Sequence, residues 1–252
     1  MNTPLPGSVD LGRLAGAYRY RAEDTAAERA AAAAEAAGLG PGMLAIDVGG
    51  GAGGHAAVFA ARGARVLVVD RSPDMARAAR HAGLRVVVGD GAALPVAGAT
   101  ADLVYFHLSI HHGPPERWLA EAARVARPGG LVWVWTLAPE HHRSSFLARW
   151  FPSVAEIDEK RFPDPADLAV LMRRCGLASP EQSRHTERVT RTADSWVSAV
   201  RAGFVSTLHL LDRAELEAGL SAFTAAHPEA EAPVSYDLAL CRVSATRPSL
   251  PS

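Results

Sequence analysis

The sequence predicts an α/β fold built on an open, mostly parallel sheet, and three observations carry that expectation. The apolar stretch Leu44-Ala45-Ile46-Asp47-Val48 runs straight into the glycine-dense turn Gly49-Gly50-Gly51-Ala52-Gly53-Gly54, and a helical segment follows. Short apolar strands then alternate with capped helices as far as Leu137, the rhythm of right-handed βαβ units. With 252 residues, 48% of them hydrophobic, the chain can bury one substantial core.

Taken in order, the first 24 residues are punctuated by proline and glycine, with a short helix expected around Leu14 to Tyr20. Thr25-x-x-Glu28 reads as a capping box opening an alanine-rich helix to about Ala37, with Gly38 placed to stop it. A strand over Met43 to Val48 precedes the glycine turn, and a helix is expected from about Gly53 to Arg62. After a strand at Arg65 to Val69, Ser72-Pro73 opens a helix to about Ala82. Further strands are expected at Leu84 to Val88, Ala101 to Phe106 and Leu131 to Leu137, with a helix from about Glu116 to Ala126 between the last two. Beyond Leu137 the alternation breaks. Residues 138–162 carry aromatics and few strand signals. Asp164-Pro165 starts a helix ending at Gly176, and a strand lies within Ser183 to Thr190. Helices follow at Ala193 to Ala202 and Arg213 to Ala226, the second opened by an Asp212-x-x-Glu215 capping box, before a last strand at Ser235 to Ser244. No linker separates two domains. The chain reads as one domain over 1–252: an arm and helix (1–41), a core (42–137), a helical insertion with further elements (138–233), and the last strand and tail (234–252).

Composition removes several functions. A net charge of −1 without a basic run leaves no electrostatic footprint for nucleic acid or an anionic membrane. No apolar run approaches the roughly 18–20 residues that span a bilayer, and no basic-then-apolar leader opens the sequence. Cys175 and Cys241 are far apart and not in a metal-ligand spacing, which fits a reduced, cytoplasmic protein. Lys160 is the only lysine. A phosphate-binding loop ending in Gly-Lys-Ser/Thr is therefore absent, and Glu156 stands where a Tyr-x-x-x-Lys dehydrogenase pair would need tyrosine.

The glycine turn admits two kinds of cofactor. Gly49-x-Gly51-x-x-Gly54 satisfies a dinucleotide fingerprint, and Asp47-x-Gly49-x-Gly51-x-Gly53 satisfies a nucleoside-cofactor turn of another class; Asp70, at the next strand end, suits a ribose in either. Ligands of open α/β sheets sit beyond the C-terminal strand ends, so the other ends decide. These are Gly89-Asp90-Gly91-Ala92-Ala93-Leu94-Pro95, Phe106-His107-Leu108-Ser109-Ile110-His111-His112, and the Arg127-Pro128-Gly129-Gly130 approach to the strand at Leu131. In order and spacing these strings resemble the class I S-adenosylmethionine (SAM)-dependent methyltransferases, most like the ubiquinone/menaquinone-type small-molecule branch. The resemblance covers about Tyr18 to Thr136 well and the C-terminal third in layout only. The dinucleotide reading, that of an NAD-dependent oxidoreductase, is not favoured by the Gly89-Asp90 and Pro-Gly-Gly strings.

The resemblance implies a Rossmann-like, seven-stranded, mostly parallel sheet with helices on both faces, an antiparallel C-terminal hairpin and a helical insertion between the last strands. It implies SAM as cofactor and in-line methyl transfer to a small organic acceptor, apolar or aromatic, with a non-catalytic or repurposed SAM-binding protein as the other reading. In that frame Asp47 holds the amino group, the Gly49, Gly51 and Gly53 amides cradle the methionyl part, and Asp70 takes the ribose hydroxyls. Arg71 and Met75 cover the adenine, Asp90 accepts from its amine, and the Gly91 or Ala92 amide serves a ring nitrogen. His107 and Leu108 line the methionyl side and the sulfonium, and Tyr18 or Tyr20 closes over the cofactor. His111 and His112, beside the expected sulfonium, are the candidate general bases, since histidine titrates near working pH. His107 and His111 have helical zinc-ligand spacing but sit in strand end and loop, so no metal is expected. Trp150, Phe151, Phe162, Trp196, Phe204 and Phe223 could form an apolar lid over the acceptor.

Overall fold

The computed structural model describes residues 23–249, which build a single seven-stranded sheet. Its strands are β1 (Leu44–Val48), β2 (Arg65–Asp70), β3 (Val86–Val88), β4 (Ala101–His107), β5 (Ala126–Leu137), β6 (Ala178–Thr192) and β7 (Pro233–Thr246), in the order β3-β2-β1-β4-β5-β7-β6. β1 to β5 run parallel, and β7 lies antiparallel between β5 and β6. The expected Rossmann-like architecture is therefore present. From β1 the chain builds outward to one side through β2 and β3, then returns to build the other side from β4. That reversal opens a crevice over the C-terminal ends of β1 and β4.

The central strands are buried on both faces, which is why they read as continuous apolar runs. Ile46, Val48, Val104 and Phe106 pack to one side, against α4 (Pro115–Val125) and α8 (Pro165–Arg174), through Leu119, Ala122, Leu168 and Met172. The alternate residues Ala45, Leu103 and Tyr105 face α1 (Glu23–Ala36) and α2 (Gly54–Ala61), through Ala30, Ala33, Ala34 and Phe59. α3 (Pro73–His81) starts where expected, with Ser72 Oγ accepting from the Met75 N–H at 3.3 Å. The remaining helices have an apolar core of their own, in which Phe151, Val154, Trp196, Phe204, Leu220 and Phe223 meet. They are α5 (Pro139–Ser144), α6 (Phe146–Trp150), α7 (Ser153–Arg161), α9 (Ala193–Arg201) and α10 (Arg213–Ala226). None of the described helices is long and apolar enough to cross a membrane.

Several expectations change. α1 begins at Glu23, so Thr25 stands inside its first turn instead of capping it. Three helices occupy 139–161, where none was expected, because five to nine residues are too few to display a 3.6-residue period. β5 starts at Ala126, and its pairing with β4 is irregular between Ala101 and Leu103, so the Pro-Gly-Gly turn lies within the strand. β3 shrinks to three residues and β6 grows to fifteen. Asp212 caps α10 through Oδ1 and the Ala214 N–H at 2.8 Å, but Glu215 reaches across to the Ser153 N–H of α7 at 2.8 Å. The box thus splits into two caps on two helices.

Replacing Asp212 by alanine should cost about 1 kcal/mol, seen as a fall of roughly 2–4 °C in melting temperature. An unchanged denaturation midpoint would show that this cap carries no weight.

Candidate functional site

The site begins at the glycine turn. Gly49, Gly51 and Gly53 have φ of 69°, 56° and 88°, left-handed values that side chains rarely adopt. The turn is braced from below. Asp70, at the end of β2, accepts the Gly51 N–H on Oδ2 at 2.9 Å and the Ser72 N–H on Oδ1 at 2.8 Å. The Gly49 N–H donates to the Val69 carbonyl at 2.7 Å and the Gly53 N–H to the Gly50 carbonyl at 3.0 Å. The amides of Gly49, Gly51 and Gly53 are thus committed within the turn, and what these glycines leave a ligand is room. Ser109 packs against Gly49, where a Cβ would lie 2.5 Å from its own, and its Oγ donates to the Val48 carbonyl at 2.6 Å.

Asp47 lies beneath the turn with no solvent exposure; a Cβ on Gly50 would come within 2.5 Å of its carboxylate. Neither carboxylate oxygen closes a hydrogen bond among the described residues. Burial, and then the charge of Asp70, push this carboxyl up to about 7, with the Ala56 amide pulling weakly the other way. A buried carboxyl without a partner is costly, and a cation or donor placed against it would recover that cost.

The outer wall of the cleft is polar. Arg71 donates to Asp90 Oδ2 at 2.5 Å and to the His112 carbonyl at 2.9 Å, and its guanidinium lies 5.5 Å from the Trp118 ring centre. Asp90 Oδ1 accepts from Trp118 Nε1 at 3.0 Å and from the Ala92 N–H at 2.8 Å. Its partial burial works against ionisation, but the Ala92 amide and Arg71 outweigh it and hold the carboxyl below the usual range. The Ala92 amide is therefore taken, and a ligand amine approaching Asp90 Oδ2 would share it with Arg71. Gly91 lies under Trp118, where a Cβ would be 2.6 Å from the ring. Gly49, Gly51, Asp70, Arg71, Met75, Gly91, His107 and Leu108 all line this cleft; Tyr18 lies outside the described residues.

A second cavity of about 400 Å³, within the range of small-molecule sites, adjoins the cleft. His55, His107, Leu108 and His112 line both and mark the border where the two meet. Leu108 holds a left-handed φ of 47° there, local strain of the kind that collects at functional sites. Phe146, Phe162, Trp196, Phe204 and Tyr236 supply the aromatic lining; Trp150, Phe151 and Phe223 belong instead to the apolar core of the insertion. His111 and His112 sit on a 3-10 turn, their rings 4.0 Å apart, with His111 3.8 Å from Phe162. His141 also lines the cavity. Burial, followed by His142, pushes it down to about 4, while Glu140 opposes, and its Nδ1 accepts the Ala239 N–H at 3.3 Å. The far end is polar: Thr207 Oγ1 donates to Asp158 Oδ1 at 2.5 Å, and Arg161 donates to Thr207 and Ser206 at 3.1 Å each. Burial raises the Asp158 carboxyl against those two partners. No three His, Cys, Asp or Glu side chains among the described residues form a metal-holding group.

Sequence reading missed His55, Trp118 and Arg29, which belong to no motif, and gave no role to Ser109, which stands within the quoted end of the fourth strand. Arg29 alone had a signal, as a charged residue on the buried stripe of α1 that it shares with Ala30, Ala33 and Ala34.

Residues 46–134 match a family model described as a methyltransferase domain. The chain is 32% identical over 124 residues to the demethylmenaquinone methyltransferase of Corynebacterium kroppenstedtii, covering 46% of this chain and 54% of that one. It is 31% identical over 156 residues to the ubiquinone/menaquinone biosynthesis C-methyltransferase of Rubrivivax gelatinosus, covering 53% and 62%. The chain thus spans little more than half the length of these curated relatives. Among solved structures, the YcgJ protein of Bacillus subtilis shares the fold with a TM-score of 0.62 at 16% identity, over 88% of this chain and 99% of that one.

Two buried groups should set opposing pH dependences on stability. Asp47 titrates near 7 when folded against 3.8 as its ordinary value, so the folded state keeps a proton that the unfolded state loses, and stability falls as pH rises from about 4 to 7. His141 titrates near 4 against 6.5, so the unfolded state gains a proton first, and stability falls as pH drops from about 6.5 to 4. The two slopes partly cancel in the native chain. Urea midpoints of Asp47→Asn should show acid sensitivity and greater stability at pH 8, and those of His141→Asn should show alkaline sensitivity. Parallel pH profiles for both variants would refute the assignment.

Proposed function

We propose that this chain, whose residues 46–134 match a methyltransferase-domain model, is a class I SAM-dependent methyltransferase that moves a methyl group from SAM to a small, apolar or aromatic acceptor held in the 400 Å³ cavity. The observation that carries this reading is the shared border. A cleft at the strand ends, floored by a glycine turn and a buried carboxylate with no hydrogen-bond partner among the described residues, meets an aromatic-lined cavity along His55, His107, Leu108 and His112. Two reactants that meet at one shared border, with nothing between the reacting atoms, are what an in-line transfer requires.

The residues present fit the cofactor. Asp47 is a counter-charge for an ammonium, and Asp70 keeps lone pairs for ribose hydroxyls beyond those given to Gly51 and Ser72. Asp90 would receive the adenine amine beside Arg71, with Arg71 and Met75 against the base. Bound there, SAM supplies an activated methyl group on a positively charged sulfur. The chain's part is alignment and exclusion of water: the aromatic walls fix the acceptor, and Leu108 and His107 border the passage. Where the acceptor carries a proton, His111 or His112 takes it. The near-neutral net charge supports a small molecule over nucleic acid as acceptor.

Only ionised Asp47 pairs with an ammonium. SAM affinity measured by calorimetry should therefore weaken as pH falls from 7 to 5, approaching tenfold per pH unit, and Asp47→Asn should bind weakly with no such slope. A flat native profile over that range would remove Asp47 as the ammonium's partner.

Losing a general base typically costs 10²–10⁴-fold in rate. With an acceptor found by screening labelled methyl transfer, single-turnover rates of His111→Gln and His112→Gln should fall by that order in one of them, with SAM affinity intact. Near-normal rates in both and in the double variant would leave alignment and desolvation as the whole mechanism.

A further inference from the structure

We propose that Arg29 is a positioning residue: braced by Glu187, it fixes His107 as the neutral ring protonated on Nδ1, so that His107 stands at the border of cleft and cavity as a donor and not as a base. The role in transfer rests on the methyl-transfer reading above; the tautomer does not.

Arg29 Nε lies 2.9 Å from His107 Nε2 and donates to it. A guanidinium has donors only, so Nε2 must supply the lone pair. An imidazolium has no lone pair to give, and in the neutral ring the proton then sits on Nδ1. This is the reverse of the tautomer that imidazole prefers in water, so the protein imposes it. Arg29 is itself nearly buried, at 6% exposure, and a guanidinium there needs a counter-charge; Glu187 Oε2 accepts from its Nη1. Glu187 lies on β6, Arg29 on α1 and His107 at the end of β4, so three elements distant in sequence converge on one ring. Among the described residues, the ring of His107 also packs near His55, with centres 4.2 Å apart, and Tyr105, at 6.3 Å.

His107 is the first residue of the histidine-rich strand end, and it borders both cleft and cavity. A base needs a lone pair facing its acceptor. Arg29, which itself lines the cavity, occupies the only one this ring has. Proton removal is thereby left to His111 and His112, one turn on.

The test uses the ¹⁵N-labelled full chain, with the His107 ring nitrogens identified by their loss in His107→Gln. Long-range ¹H–¹⁵N correlation should report an unprotonated Nε2 and a protonated Nδ1, both in the free protein and at saturating SAM. A protonated Nε2 in either state overturns the proposal, and this native measurement decides even if a variant fails to fold. Arg29→Leu should return the ring to the Nε2–H form and Arg29→Lys should keep the native one; an unchanged tautomer in a folded Arg29→Leu also overturns it. The two readings fail separately. Absence of SAM binding would remove the methyl-transfer reading and leave the native tautomer standing, while the wrong tautomer with tight SAM binding would do the reverse.

Discussion

The structure turns on two carboxylates at the ends of neighbouring parallel strands. β1 and β2 pair in register from Leu44 with Arg65 to Val48 with Val69, which brings Asp47 and Asp70 to either side of the glycine turn. Asp70 is satisfied by the backbone: by taking the Gly51 and Ser72 amides it fixes both the turn and the entry to α3. Asp47 has no hydrogen-bond partner among the described residues, and Asp70 makes its ionisation harder. One acid builds the turn, and the other is left in a state that a cation would relieve. Such local destabilisation at a binding site is the usual reason that function and stability trade against each other.

Around that constraint the molecule divides its labour. The sheet and the helices on its two faces form two apolar clusters that hold the strand ends in place. The helices after β5, together with the ends of β6 and β7, form a third cluster with its own aromatic core, and the larger cavity lies between this cluster and the strand ends. In the proposed reading, acceptor choice belongs to residues such as Phe146, Phe162, Trp196 and Asp158, which line the cavity away from the turn. This is how one fold carries many specificities.

Much of this was legible in the sequence, and the limits have physical causes. The parallel strands announced themselves because burial on both faces leaves an unbroken apolar run, as in Val66 to Val69. Caps at Ser72, Asp164 and Asp212 were readable because capping is local chemistry. The helices of 139–161 were not, since their length hides their period, and β6 was underestimated because most of its residues are exposed and polar. In the site, the carboxylates could be placed by strand-end position. Their partners could not: that Arg71 and Trp118 engage Asp90, or that the turn absorbs its own amides, depends on side-chain and backbone directions that spacing does not encode. The Arg29–His107 contact spans 78 residues and has no local signature beyond a charge on an apolar stripe.

The histidines show how far burial, more than residue type, decides chemistry. Five of them gather at or near the cavity: His55, His107, His111, His112 and His141. His141 is held neutral by burial, with Nδ1 occupied by the Ala239 amide. His107 has Nε2 occupied by Arg29, whose own charge Glu187 cancels. In the methyl-transfer site proposed for this chain, each of these arrangements avoids a further cation beside the sulfonium. An in-line attack spreads or cancels the sulfonium charge as the methyl moves, so a wall of neutral rings and aromatic surface favours the transition state over the ground state. On this reading the site catalyses by choosing where charge is permitted: a carboxylate below the cofactor, neutral rings at the passage, and an apolar chamber beyond.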